Sequence, residues 1–175
     1  PSGSISWLEK PSATRLNRLA DATVAGKGLS TFALCHVKWM TAAAGLMHEE
    51  FHSPEFVHNG GTFQVAQLWV NLPAKDKDAP PGYQTLLKDQ IPVVPLPDDA
   101  GSLRVIAGEF IGRTGPARTF TPINLWDVTL HGGKFAQLLV PEGHTTALLI
   151  QKGTVRIGEK EGTEGDLAIF EAKGT

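Results

Sequence analysis

The sequence predicts an all-β protein of sandwich or barrel type. Three observations carry that prediction. Apolar residues fall in short runs, and in the clearest of them they alternate. From about residue 60 onward these runs are punctuated by glycine and proline, which number 19 and 12 in the 175-residue chain. No helical repeat is interleaved with them. Short strands bounded by turns, without helices between, are the pattern of sandwiches and closed barrels.

Residues 1–36 stand apart from that rhythm. "SATRLNRLADATVAGKGLSTFALC" sets Arg15 and Arg18 against Leu16 and Leu19, a weak amphipathic helix signal. "TFQVAQLWVNL", residues 62–72, alternates in both phases: Phe63, Val65, Gln67, Trp69 and Asn71 against Gln64, Ala66, Leu68, Val70 and Leu72. Both faces are largely apolar, so it reads as a strand buried on two sides or a barrel strand. "AKDKDAPPG", residues 74–82, is polar and proline-rich and reads as an exposed loop. "PPGYQTLLKDQ", residues 80–90, is the best local helix, with proline at its start. "SLRVIAGEF", "LWDVTL", "FAQLLV", "TTALLIQKGTVRIG" and "DLAIF" follow as strands. "GPARTFTP", "HGG", "PEGH" and "EGTEGD" separate them as turns. No internal repeat is visible.

Composition bounds the function classes. Hydrophobic residues make up 41% and charged residues 19%, enough for a core, and the net charge of −2 gives no basic block for nucleic acid. Cys35 is the single cysteine, so a disulfide framework is excluded. No apolar run approaches the roughly 20 residues of a membrane helix, and the start lacks a signal-peptide pattern. A reduced cytoplasmic setting and no membrane partner are expected. The first residue is Pro1, which reads as a processed, trimmed or fragmentary chain.

"GLMHEEFHSP" contains His48-Glu49-Glu50-Phe51-His52, the spelling of a zinc protease. That chemistry needs a helix, on which histidines at i and i+4 share a face and the glutamate acts as base. Gly45 before the motif and Ser53-Pro54 after it leave barely three turns, and Glu50 puts a charge inside it. Glu55, His58 or Glu109 could supply a third ligand, but nothing marks one. The protease is a minor alternative beside a chance match in a polar turn.

The surroundings of the motif point elsewhere. "VKWMTAAAGLMHEEFHS", "QLWVNLPAKDKDAPPGYQ", "IPVV", "RVIAGE", "GPARTFTPINLWDVTL", "LLVPEGHTTALLIQKGTVRIG" and "GDLAIF" resemble the pirin family, a branch of the cupins, from Val37 to about Phe170. The resemblance implies a bicupin, two β-barrels face to face. It implies one non-haem iron in the N-terminal barrel, held by three histidines and one glutamate, and dioxygenation of a flavonol such as quercetin. Two of those histidines form an early His-x-His element; the third histidine and the glutamate form a later His-x-Glu element, matched here by His48 and Glu50. Residues two apart on a strand share a face, so His48 and Glu50 are the expected Fe(2+) ligands and His52 completes the protease spelling by accident. Such ligands suit iron(II) with open positions.

The departures shape the expectation. The early His-x-His string is absent, no histidine precedes His36, and Cys35-His36 stands where the family has Gly-Asp; Gly165-Asp166 is kept at the second barrel's comparable turn. The resemblance stops abruptly at Val37. A reading-frame change accounts for that better than an alternative or fused segment. The expected organisation is an unmatched segment 1–36, a remnant N-terminal cupin barrel 37–112 and a truncated C-terminal barrel 113–175, a bicupin incomplete at both ends. Iron is then expected to be weak or absent and dioxygenase activity impaired, with no catalytic residue assigned beyond the metal positions. The alternative is a non-catalytic, metal-binding protein like the transcriptional co-regulators of the family. A flavonol-like aromatic is the expected small partner, direct nucleic-acid contact is not expected, and open barrel edges invite self-association. Trp39 and Trp69 read as core. His58 reads as a solvated loop residue, His36 as incidental and His144 as a turn residue. Gly108-Glu109 reads as strand-end packing, and Cys35 has no redox role.

Overall fold

The structure is a computed structural model, and it describes residues 5–8, 37–48, 54–60 and 65–171. In chain order its strands are β1 (Ile5–Leu8), β2 (Val37–Thr41), β3 (Gly82–Leu86), β4 (Val93–Pro95), β5 (Gly101–Ala107) and β6 (Glu109–Phe110). They continue with β7 (Arg113–Thr114), β8 (Leu125–Leu130), β9 (Thr146–Leu149), β10 (Thr154–Ile157), β11 (Lys160–Thr163) and β12 (Leu167–Phe170). The α-helix among the described residues is α1 (Pro54–Asn59), with three short 3₁₀ turns. This nearly all-β architecture is the cupin-type β fold that the sequence predicts. The chain divides into two compact units, Arg18–Ala136 and Pro1–Asn17 with Gln137–Thr175.

The Arg18–Ala136 unit is organised by β5. It runs between β4 and β8, antiparallel to both. Its sequence is right for a central strand, because β-branched and aliphatic residues pack well on a pleated surface. Leu103 and Val105 are fully buried, on the face they share with Val94 and Val128 across the ladder. Arg104 lies on the opposite face, opposite Asp127. The register slips between Val105 and Ala107, so Ile106 is an extra residue in the ladder, a β-bulge. Ile106 joins Leu86, Ile91, Ala107 and Ala117 in one apolar cluster, against which Val37, Trp39 and Leu125 pack.

Beyond Ala107 the chain turns sharply. Gly108 has φ of +73°, and a side chain there would meet Asn124 Oδ1 at 2.0 Å, so the position requires glycine. The Glu109 N–H donates to Asn124 Oδ1 at 3.2 Å, and Gly115 N–H donates to the Gly108 carbonyl at 2.8 Å. Ile111 and Gly112, with φ of 46° and 70°, make the tight turn between β6 and β7. The expected strand-end role of Gly108-Glu109 is what the geometry shows.

In the second unit β12 pairs antiparallel with both β1 and β9, and β10 pairs with β11. The turn from β11 into β12 is fixed by Gly165, at φ of +87°, and by Asp166. The Asp166 carboxylate accepts from the Thr163 N–H at 2.7 Å and the Thr163 hydroxyl at 3.2 Å. Ile150 and Ala168 are buried in this unit.

Four sequence expectations are corrected. Residues 82–86 are the strand β3, not a helix: Tyr83 and Thr85 favour strands, and β2 offers a five-residue ladder from Val37↔Leu86 to Thr41↔Gly82. Helical turn survives only at Lys88–Gln90, where the Leu87 N–H donates to the Gln90 side chain at 2.8 Å. Residues 65–72 carry the predicted alternation but belong to no strand, and Trp69, expected in the core, is 91% exposed. Residues 135–140 are likewise outside any strand, with Phe135 and Leu139 exposed. In both cases no neighbouring strand among the described residues pairs with the segment, and alternation without a ladder does not make a sheet. Last, β1 is a strand inside the segment that lacked a strand rhythm; the helix signal of residues 12–35 lies outside the described residues.

Candidate metal-binding region

β2 leads toward His48. Trp39 leans on the apolar cluster, and Gln84, its cross-strand neighbour, bonds Arg118 both ways. The Arg118 N–H donates to Gln84 Oε1 at 3.1 Å, and Gln84 Nε2 donates to the Arg118 carbonyl at 3.5 Å. Lys38 Nζ lies 5.9 Å from the Tyr83 ring centroid and donates to Thr85 Oγ1 at 3.3 Å. Strand structure ends at Thr41. The Gly45 N–H donates to the Ala42 carbonyl at 2.8 Å, and the positive φ of Ala43 and of Gly45, 44° and 134°, turn the chain away.

His48 therefore sits exposed in irregular backbone, not on a strand or its end as the sequence predicts. The strand argument that would aim His48 and Glu50 at one ion does not apply to His48. Glu50 lies outside the described residues, as do His52, His36 and Cys35. Residues 45–48 are not helical either, and a φ of +134° at Gly45 is incompatible with helix. The helix that a zinc protease would need to carry His48 does not start there. His58 is exposed in the last turn of α1, not in a loop. Among the described residues no three histidine, cysteine, aspartate or glutamate side chains come together to hold a metal. They do not, by themselves, fit the non-haem iron that the sequence resemblance implies.

The second unit places His144 in the turn expected of it. Its N–H donates to the Pro141 carbonyl at 3.3 Å across Gly143, at φ of +80°, and its carbonyl accepts from the Thr146 hydroxyl at 3.3 Å.

Two polar arrangements were not singled out by sequence. Arg104 donates to Asp127 Oδ2 through Nε at 3.0 Å and Nη2 at 2.5 Å, while Arg104 Nη1 is buried without a partner among the described residues. Opposite charges at facing positions of two predicted strands were the available signal, but it needs the register. The second arrangement joins the turn before β5 to the turn after β8. His131 Nδ1 lies 2.9 Å from the Asp99 carbonyl, and Lys134 Nζ donates to the Asp98 carbonyl at 2.9 Å. Asp98 and Asp99 both have positive φ, 56° and 51°. Both arrangements brace the sheet and neither opens a reaction site. Phe110 and Trp126 meet edge to face, centroids 5.1 Å apart.

Comparison with known proteins agrees with the sequence resemblance. No family model matches the chain. A Pseudomonas aeruginosa protein provisionally named a quercetin 2,3-dioxygenase is 50% identical over 135 residues, covering 77% of this chain and 47% of that protein. Human pirin is 34% identical over 122 residues, 70% of this chain and 40% of pirin. The crystal structure of quercetin 2,3-dioxygenase from Acinetobacter baumannii superposes with a TM-score of 0.75 at 45% identity, covering 79% of this chain and 49% of that one. The chain thus spans about half the length of these relatives. No helix among the described residues is long and apolar enough to cross a membrane.

Proposed function

We propose that this chain belongs to the pirin family and that its chemistry is of the quercetin 2,3-dioxygenase kind, reduced in the chain as given. The observation that carries the reading is the agreement of sequence and shape over the same region: 45% identity and a TM-score of 0.75 with the Acinetobacter baumannii enzyme. The proposed substrate class is a flavonol-like aromatic and the proposed metal is iron(II), with His48 and Glu50 as the positions this chain contributes.

The reduction follows from the donor set. The family pattern uses four protein ligands, and this chain matches two of them. Half a cage holds a divalent ion poorly, because neutral imidazole and carboxylate must displace water without further ligands to fix the geometry. Among the described residues no three histidine, cysteine, aspartate or glutamate side chains come together to hold a metal. The domain organisation proposed with this reading is a remnant N-terminal cupin barrel over residues 37–112 and a C-terminal barrel from residue 113.

The test is iron(II) titration by calorimetry together with oxygen consumption on quercetin. Iron affinity weaker than micromolar, falling further in both His48→Ala and Glu50→Gln, with turnover at background, is the expected result. Submicromolar iron with turnover that disappears in His48→Ala overturns the reduced activity. Affinity indifferent to both substitutions overturns the metal positions. Submicromolar iron held without turnover favours a non-catalytic, co-regulator-like role.

A further inference from the structure

Asn59 closes α1 and Gly60 follows it, both exposed. Nowhere else in the sequence does glycine follow asparagine; Asn17, Asn71 and Asn124 precede Arg18, Leu72 and Leu125. The difference is chemical. The side-chain amide of an asparagine can be attacked by the backbone nitrogen of the next residue. A side chain on that residue shields its nitrogen, whereas glycine lets the backbone approach closely. Asn71 and Asn124 are also tied down. Asn71 Oδ1 accepts from Lys77 Nζ at 2.5 Å, and Asn124 Oδ1 from the Glu109 N–H at 3.2 Å.

Local structure leaves the attack open at Asn59. Ring closure requires the asparagine to leave helical ψ, and a residue inside a long helix is held there by the turns on either side. Helix α1 has six residues and Asn59 is its last, whereas an isolated helix needs about 12–15 residues to be even marginally stable in water. Gly60 leaves the helix at φ of +66°, the left-handed conformation that ends helices. Beyond its two chain neighbours, no described residue lies within 4 Å of where a Cβ on Gly60 would stand.

We propose that Asn59-Gly60 is a self-modification site, at which the chain converts its own asparagine amide into a carboxylate. The Gly60 amide gives up its proton, and its nitrogen forms a bond to Asn59 Cγ. The Cγ–Nδ2 bond breaks and Nδ2 departs as ammonia with a proton, leaving a cyclic succinimide. Water then opens the ring at either carbonyl. One opening gives aspartate; the other gives isoaspartate, with the main chain routed through the former side chain. Ammonia leaves, water enters and nothing is oxidised or reduced. Either product places a new negative charge at the C-terminal end of α1, where the helix dipole disfavours it. Loss of ammonia makes the change one-way, and the last turn of α1 is expected to loosen with it.

The test holds the intact chain in warm buffer, at neutral and at mildly alkaline pH, and samples it over days. Peptide mass spectrometry reads the exchange of amide for acid, and methylation by a protein isoaspartyl methyltransferase reads isoaspartate. Both signals are expected at Asn59 and not at Asn71 or Asn124. They should grow faster at the higher pH, because the attacking nitrogen must lose its proton. Gly60→Ala is expected to slow the conversion roughly tenfold, a barrier higher by about 1.4 kcal/mol. Asn59→Gln should abolish it at this position, since the larger ring closes much more slowly. The folded chain is expected to convert within about tenfold of the rate in urea, a barrier difference below about 1.4 kcal/mol. Absence of isoaspartate at Asn59 overturns the proposal. So does a rate unchanged in Gly60→Ala, or conversion in urea with none in the folded chain.

Discussion

Arg104 and Asp127 face each other across β5 and β8 with side chains 20% and 30% exposed. A charge pair at that depth contributes little beyond its own desolvation, yet breaking it leaves a guanidinium already short of one partner. Arg104→Met and Asp127→Asn are each expected to lower the unfolding free energy by about 1–3 kcal/mol. The double variant carrying both substitutions should cost less than the sum, because both charges leave together. Urea denaturation of the three variants checks this, and strictly additive losses would show that the pair does not interact. Leu103 is the opposite case, fully buried and purely apolar. Leu103→Ala is expected to cost about 2–5 kcal/mol, the transfer of the lost methyl groups plus the cavity they leave. A loss below about 1 kcal/mol would mean that the core around β5 collapses freely onto the gap.

Turns differ in what they demand of glycine. Gly108 and Gly143 have similar φ, +73° and +80°, but different surroundings. An added Cβ at Gly108 meets Asn124 Oδ1 at 2.0 Å and the Ile123 carbonyl at 2.5 Å, while at Gly143 nothing lies within 4 Å. Gly143→Ala is expected to cost only the backbone term, about 1–2 kcal/mol. Gly108→Ala adds the clash and should exceed about 3 kcal/mol. Thermal melts of the two variants check the order, and equal losses would show that the β5–β6 corner relaxes. The same contrast between local and neighbouring forces explains β3. Its own residues read as a helix with proline at the start, but the ladder with β2 runs through all five of its positions. A cross-strand partner outweighs a propensity worth a few tenths of a kcal/mol per residue.

Over the described residues, order should be unevenly distributed. The ladder β4–β5–β8 surrounds the most buried side chains, Leu103 and Val105, whereas residues 65–70 carry no ladder at all. Native-state hydrogen exchange is expected to be slowest at the amides of Leu103, Val105 and Val128 and fast across residues 65–70 at low protein concentration. Uniform protection of both regions at every concentration would contradict the structure's division between paired and unpaired strands.

The sequence by itself determined the fold class, the strands β5, β8, β9, β10 and β12, and the turns at "HGG", "PEGH" and Gly165-Asp166. These are local facts. A period-two apolar pattern and a glycine that must take positive φ are written in consecutive residues. It also determined the family resemblance, through strings such as "VKWMT" and "RVIAGE" that are long and specific. Only the tertiary structure decided that residues 82–86 form a strand, that Trp69 is at the surface and that His48 lies in irregular backbone. Each depends on whether another segment lies alongside. β3 has β2, and so a helical sequence extends; residues 65–72 have no such neighbour among the described residues, and so an apolar alternation stays exposed. A metal site is the extreme of that dependence, because its ligands must converge from separate segments. The spelling of His48 to His52 therefore names candidate donors, while the backbone around them decides whether any two meet.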